Sequence, residues 1–268
     1  MSNKGVNMKY YVVDAFADSV FSGNPAGVCV LEKWLDKDIM QKIAAENNLS
    51  ETAFVVKTEI ENEYELKWFT PKAEIDLCGH ATLGTAYVIS NFVDMGTDKM
   101  LFHTMSGILE VKRKDDLYEM DFPSREPEKI QLLEGISDVI GINPTEIYLS
   151  RDLFVVLETE EQVLNLSLDF SEMLKIRDGL GVIVTAKGKN VDFVSRCFYP
   201  KLGVNEDPVT GSAHSNLIPY WSKRLNKTKL IAKQLSNRGG TLYCEDAGDR
   251  VKISGKAILY MVGDINIR

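Results

Sequence analysis

With 268 residues, 44% of them hydrophobic, the chain can bury one large core or two ordinary ones. Its 39 acidic against 31 basic side chains give a net charge of -8, and no basic run exceeds Lys112-Arg113-Lys114, which disfavours a nucleic-acid partner. No stretch approaches the roughly 20 apolar residues of a bilayer span, and "MSNKGVNMKYYVVDAF" carries no signal-like apolar run, so the expectation is a soluble, cytoplasmic protein without a membrane partner.

In chain order, "KYYVVDAF" (9–16) and "GVCVL" (27–31) read as strands, followed by a helix over 36–48 with Ile39, Met40, Ile43 and Ala44 on one face. Strands follow at "TAFVV" (52–56) and "YELKWFT" (64–70), then a helix over 80–92, then "ILEVKRK" (108–114) and "LYEMDF" (117–122). The second half mixes helices near 128–140, 160–166, 169–176 and 211–224 with the strands "IYLS", "LFVVLE", "LGVIVTA", "VDFVSRCF", "TLYCE", "RVKIS" and "AILYMVG". Many strands and few helices, without regular alternation, predict an α+β fold.

The two halves echo each other. "FTPKAEIDLCGHATLGTAYVI" from Phe69 and "FYPKLGVNEDPVTGSAHSNLIPYW" from Phe198 both run from an aromatic strand end through a Pro-Lys turn to a Gly-rich helix start. The simplest reading is an internal duplication with two similar halves across a cleft, 1–119 and 120–268, the last strand being free to cross back to the first half.

Gly79 and Gly211 are each expected at a helix N-terminus, where unpaired N–H groups and the positive dipole end grip an anion such as a substrate carboxylate. Ordinary capping by Thr82 or Ser212 is the plainer alternative. Both turns carry further polar groups: Cys78 and His80 in one, Asp207, Thr210 and Ser212 in the other.

Cys29, Cys78, Cys197 and Cys244 form no C-x-x-C pair, so reduced thiols are the default. With His80, His103 and His214 as the only histidines, and ligand spacing confined to Cys78/His80, no metal is expected. Cys78 at a helix start could be activated, yet an isolated cysteine is more often a small buried hydrophobe. Side chains two apart on a helix do not face each other, so His80 is read as a substrate-orienting or proton-sharing group rather than a base for Cys78. Glu51 in "NLSETAFVV" stands at the mouth of an apolar strand, where desolvation would favour its acid form and suit it to take and return a proton.

The segments "DAFADSVFSGNPAGVCVL", "NLSETAFV", "FTPKAEIDLCGHATLG", "EDPVTGSAHSNLIPYW" and "QLSNRGG", in this order, resemble the phenazine-biosynthesis PhzF-like isomerase family. The resemblance implies a diaminopimelate-epimerase-like fold of two pseudo-symmetric halves, each a curled mixed sheet or barrel around a central helix. It further implies a homodimer, no metal or organic cofactor, and an active site between the halves. Glu51 would be the catalytic acid/base, with His80 and Asp207 as polar catalytic partners. Cys78, Gly79, Thr210, Gly211 and Ser212 would bind substrate. Relatives on this fold that epimerise amino acids carry a thiol before each glycine; here Cys78 fits the first position but Thr210 holds the second. The resulting expectation is a cofactor-independent isomerase that moves a proton on a small carboxylate-bearing metabolite through Glu51. The alternatives are a non-catalytic metabolite-binding or protein-interaction member of the fold, and a Cys78-dependent epimerase or racemase.

Overall fold

A computed structural model describes residues 6–133 and 135–267. Contacts divide the chain into two compact units: residues up to Asp121 together with those from Ser254 onward, and Phe122–Ile253.

The first unit begins with β1 (Val6–Ala15), β2 (Asn24–Leu31), α1 (Lys37–Asn47), β3 (Glu51–Lys57), β4 (Glu63–Phe69) and β5 (Glu74–Ile75). It continues with α2 (Gly79–Val88), a π-helical turn at Ile89–Val93, β6 (Lys99–Thr104), β7 (Gly107–Lys114) and β8 (Leu117–Pro123). After β8 come β9 (Glu128–Ile130), α3 (Ile136–Ile140), β10 (Glu146–Leu149), β11 (Leu153–Val156), α4 (Glu160–Leu164), α5 (Phe170–Met173) and β12 (Val182–Lys187). The chain ends with β13 (Phe193–Tyr199), a 3-10 turn at Pro200–Leu202, β14 (Val204–Asp207), α6 (His214–Leu225), β15 (Lys229–Gln234), β16 (Gly240–Asp246), β17 (Arg250–Gly255) and β18 (Ala257–Ile267).

The pairing pattern is written twice. In the first unit β1 and β2 are antiparallel, β2 and β3 parallel, β3 and β4 antiparallel, β4 and β5 antiparallel, β4 and β6 parallel, and β6 and β7 antiparallel. The second unit repeats each relation in the same sequence, from β10 and β11 through β15 and β16. Parallel neighbours need a crossover, which α1 and α2 supply in one unit, and α4, α5 and α6 in the other. Even the closing strands correspond: β18 lies antiparallel to β1 as β9 does to β10. This is why the chain's last strand returns to the first unit.

Each unit has its own core. α2 is buried on nearly every side, from His80 through Ala86 and at Val88, so it is the central helix of its sheet. Its small residues permit that: a Cβ at Gly84 would sit 3.6 Å from both Ala26 and Val13. Thr82 and Thr85 lose no hydrogen bonds there, because their hydroxyls turn back to the carbonyls of Cys78 and Ala81. In the second unit α6 is buried from His214 through Ser222 and contains Pro219. A proline in a helix leaves the carbonyl four residues earlier without its usual donor. Here that carbonyl, Ser215 O, accepts instead from Arg125 N–H at 2.9 Å.

Three helical expectations change. Residues 128–130 pair with β10, with Lys129 opposite Tyr148, and only Ile136–Ile140 is helical, opened by Gly135 at φ 79°. The helix expected from 211 starts at His214, and Gly211 lies in the turn ahead of it. The helix expected over 80–92 changes to π geometry at Ile89.

Candidate active site

Glu51 is the first residue of β3, with Ala26 of parallel β2 as its register partner. The strand's next residues, Thr52 to Val55, are buried, so the backbone at Glu51 is anchored while its side chain reaches the strand mouth. Cys78 is the N-cap of α2 in extended conformation, φ -146° and ψ 109°, and Gly79 and His80 form the first helical positions. Asn24, at the start of β2, is fully buried beside them.

These elements bring three reactive side chains together. Glu51 Oε2 lies 3.0 Å from His80 Nε2. Cys78 Sγ lies 3.6 Å from His80 Nδ1 and 3.9 Å from Nε2, and Asn24 Nδ2 lies 3.2 Å from Nδ1. The contact between Cys78 and His80 corrects the expectation that they do not face each other. That expectation assumed both residues helical, whereas the extended backbone at Cys78 swings its thiol back over the ring. Glu51 Oε2 is buried and makes no aligned hydrogen bond among the described residues, so its approach to His80 is a charge pairing that leaves acceptor capacity unfilled.

Burial opposes charge on His80, but its neighbours Cys78 and Glu51 outweigh it and raise the imidazole well above its ordinary value. Burial, then the charge of Glu51, pushes the Cys78 thiol up. A thiol so shifted keeps its proton at neutral pH. The cluster therefore sets one imidazole between the Glu51 carboxyl group and a protonated thiol. Glu51, Cys78 and His80 also form a donor set with metal-ligand chemistry, their donor atoms all within 4.8 Å of one another.

The second unit assembles a different set. Asp207 ends β14, and its Oδ2 accepts from Thr210 Oγ1 at 2.6 Å. Gln234 clamps the turn between them: its Oε1 accepts from Thr210 N–H at 2.8 Å and its Nε2 donates to Asp207 O at 2.6 Å. Gly211 follows in the same turn, and Ser212 Oγ accepts from Arg151 Nη2 at 3.2 Å. Arg151 in turn pairs with Asp152, a carboxylate with no exposed side-chain surface, at 3.0 Å. His214 donates from Nδ1 to Thr210 O at 2.8 Å, which leaves Nε2 buried without a partner among the described residues. Burial drives the His214 pKa down to about 4, so this ring is neutral.

The registers of the two units explain what the second set lacks. Thr52 opposes Phe69 as Val182 opposes Phe198, so the residue before each, Glu51 and Gly181, holds the same place in its repeat. A Cβ at Gly181 would stand 2.2 Å from the Tyr199 ring, so that position has no room for a side chain. Asn24, Arg151 and Gln234 escaped the sequence reading as individual contacts, although Asn24 and Gln234 fall inside two of the quoted motifs.

A family model described as phenazine biosynthesis-like protein matches residues 13–263. The chain belongs to this family, the PhzF-like proteins. A PhzF-like relative, an uncharacterised isomerase of Pseudomonas aeruginosa, is 49% identical over 262 residues, which are 98% of this chain and 100% of that one. The crystal structure of a PhzF-family protein from Enterococcus faecalis is 54% identical and superposes with a TM-score of 0.95, covering 97% of this chain and 99% of that chain. A hydroxyproline epimerase of Agrobacterium vitis, 10% identical, reaches a TM-score of 0.63 over 99% of this chain and 94% of its own, a likeness of fold alone. The PhzF-like fold is thus the epimerase-type duplicated α+β architecture expected from the sequence.

Proposed function

We propose that this PhzF-like protein is an isomerase that moves a proton on a small carboxylate-bearing metabolite, with Glu51 as the proton carrier. The observation that carries the reading is the Glu51–His80 pair, 3.0 Å apart and buried at the start of α2, where a carboxylate oxygen retains unfilled acceptor capacity. In the proposed step Glu51 takes a proton from a carbon whose electron pair passes into an adjacent conjugated system. It then returns the proton to a second carbon of that system, so nothing is oxidised or reduced. His80 stabilises the carboxylate before transfer, and Asn24 fixes the ring orientation from its other side. The N-terminus of α2 at Gly79 offers unpaired N–H groups and a positive dipole end to a substrate carboxylate. Asp207 keeps the proposed role of polar catalytic partner, and Thr210, Gly211 and Ser212 that of substrate-binding groups.

The isomerase name of the 49% identical relative supports the reaction class. Glu51→Gln tests the carrier: the amide keeps the shape but neither accepts nor returns a proton. A panel of small carboxylic acids, screened first for thermal stabilisation, supplies the substrate.

One observation favours a second reading, Cys78-dependent epimerisation: its sulfur lies 3.6 Å from His80 Nδ1. Against it stand the raised thiol pKa and the threonine at the corresponding position of the second half, Thr210.

A further inference from the structure

Gln234 opens the motif "QLSNRGG" and, although fully buried, uses the whole of its amide. Oε1 accepts from Thr210 N–H at 2.8 Å and from the Cys197 thiol at 3.7 Å, while Nε2 donates to Asp207 O at 2.6 Å and to Thr210 Oγ1 at 3.2 Å. A backbone N–H only donates and a carbonyl only accepts, so a single orientation of the amide satisfies both. The Thr210 hydroxyl is then fixed as well. It takes a hydrogen from Nε2, so its own goes to Asp207 Oδ2, 2.6 Å away. One side chain therefore sets both the backbone of Asp207 and the hydroxyl partner of its carboxylate.

Comparison of the repeats separates this clamp from what the turn itself needs. Ser106 Oγ donates to Asp76 O and Ser236 Oγ to Pro208 O, each at 2.8 Å, and these carbonyls stand two residues before Cys78 and Thr210. A serine thus ties hairpin to turn in both repeats. Counted along the paired strands from Phe69 and Phe198, the counterpart of Gln234 is Thr104, whose hydroxyl closes its own hairpin on Gly107 O at 2.7 Å. Of the two repeats, the one that carries Asp207 has the additional clamp.

We propose that Gln234 is a positioning residue, which acts through Thr210 and the Asp207 backbone to hold the Asp207 carboxylate in the orientation the reaction uses. The inference rests on the role of Asp207 as a polar catalytic partner proposed above. Misplacing a reacting group by about 1 Å costs on the order of 100-fold in rate, so a clamp that prevents it governs turnover.

The test uses the full chain and two readouts. The first needs no substrate: in heavy water, the Gln234 side-chain amide, assigned in the wild-type magnetic-resonance spectrum, should exchange on the order of 100-fold more slowly than an exposed glutamine amide. Exchange as fast as an exposed amide overturns the clamp. The second is turnover of the panel acid that the wild-type chain converts. Gln234→Met, similar in length but without hydrogen bonds, should lower kcat by about 10- to 100-fold and change KM little. Combined with Thr210→Val it should lose far less than the product of the two single losses, because both act on one hydroxyl. Ser236→Ala, which removes the tie common to both repeats, should lower the melting temperature and leave kcat near the wild-type value. Wild-type kcat in folded Gln234→Met, losses that multiply, or an equal fall in Ser236→Ala would each reduce Gln234 to a packing residue. Asp207→Asn reports on Asp207 by itself, so failure of the clamp and failure of the proposed reaction are separately visible.

Discussion

Glu51 and Gly181 occupy one register position in the two repeats, yet one is a carboxylate 3.0 Å from an imidazole and the other a glycine pressed against an aromatic ring. The repeated topology therefore supplies two scaffolds, of which one holds a carboxylate at this position. Tyr199 explains why the other cannot: the Cβ that any other residue would bring to position 181 meets its ring at 2.2 Å and the Phe198 carbonyl at 2.7 Å. Gly181→Ala should accordingly destabilise the protein by about 1 to 3 kcal/mol, the usual range for overpacking. Urea unfolding monitored by circular dichroism measures it, and a loss below about 0.5 kcal/mol would show that Tyr199 moves aside freely.

Gly84 gives the opposite expectation. It lies inside α2, and a Cβ there would meet Ala26 and Val13 at 3.6 Å, ordinary contact distances. Gly84→Ala should raise stability by about 0.5 to 1 kcal/mol, the helix-propensity difference. A fall in melting temperature would mean that α2 lies closer to its sheet than these distances allow.

Much of this architecture could be read from local pattern. Alternating β-branched and aromatic residues marked β1, β3, β4, β7 and β8, and the face of Met40, Ile43 and Ala44 marked α1. The motif echo from Phe69 and Phe198 anticipated a repeated topology that now extends to every pairing from β1 to β7. What pattern missed depended on distant partners. Residues 128–130 carry a helix-compatible sequence but gain their hydrogen bonds from β10, across an intervening helix. The Cys78–His80 contact was misjudged because helical side-chain spacing does not apply at an extended N-cap. Asn24 meets His80 across 56 residues, and Arg151 meets Ser212 across 61, separations at which single-sequence periodicity is silent.

His214 makes stability depend on pH with a definite sign. Burial lowers its folded pKa to about 4, against an ordinary value of 6.5, so between these values the unfolded chain binds the extra proton. The contribution is fully present above the unfolded value and is lost as pH falls toward 4. The loss between pH 7 and 4.5 should be on the order of 2 kcal/mol from this group. His214→Gln should start less stable, having lost the 2.8 Å bond to Thr210 O, but should show a flatter pH profile over that interval. Parallel profiles for the two proteins would remove His214 as the cause.

The mechanistic assignment turns on two conservative substitutions made side by side. Glu51→Gln preserves the volume beside His80 and removes the group that accepts and returns a proton, so turnover should fall on the order of 100-fold or more while ligand-induced thermal stabilisation largely persists. Cys78→Ser keeps a small polar group at the N-cap of α2 and should cost far less, because a thiol pushed up by burial and by the Glu51 charge is protonated and a poor base. The reaction run in heavy water should place deuterium on the carbon that receives the proton, to the extent that Glu51 exchanges with solvent before returning it. Near-normal turnover in Glu51→Gln, together with an inactive but folded Cys78→Ser, would transfer the chemistry from the carboxylate to the thiol. His80, in contact with both, would then act as the base that activates Cys78.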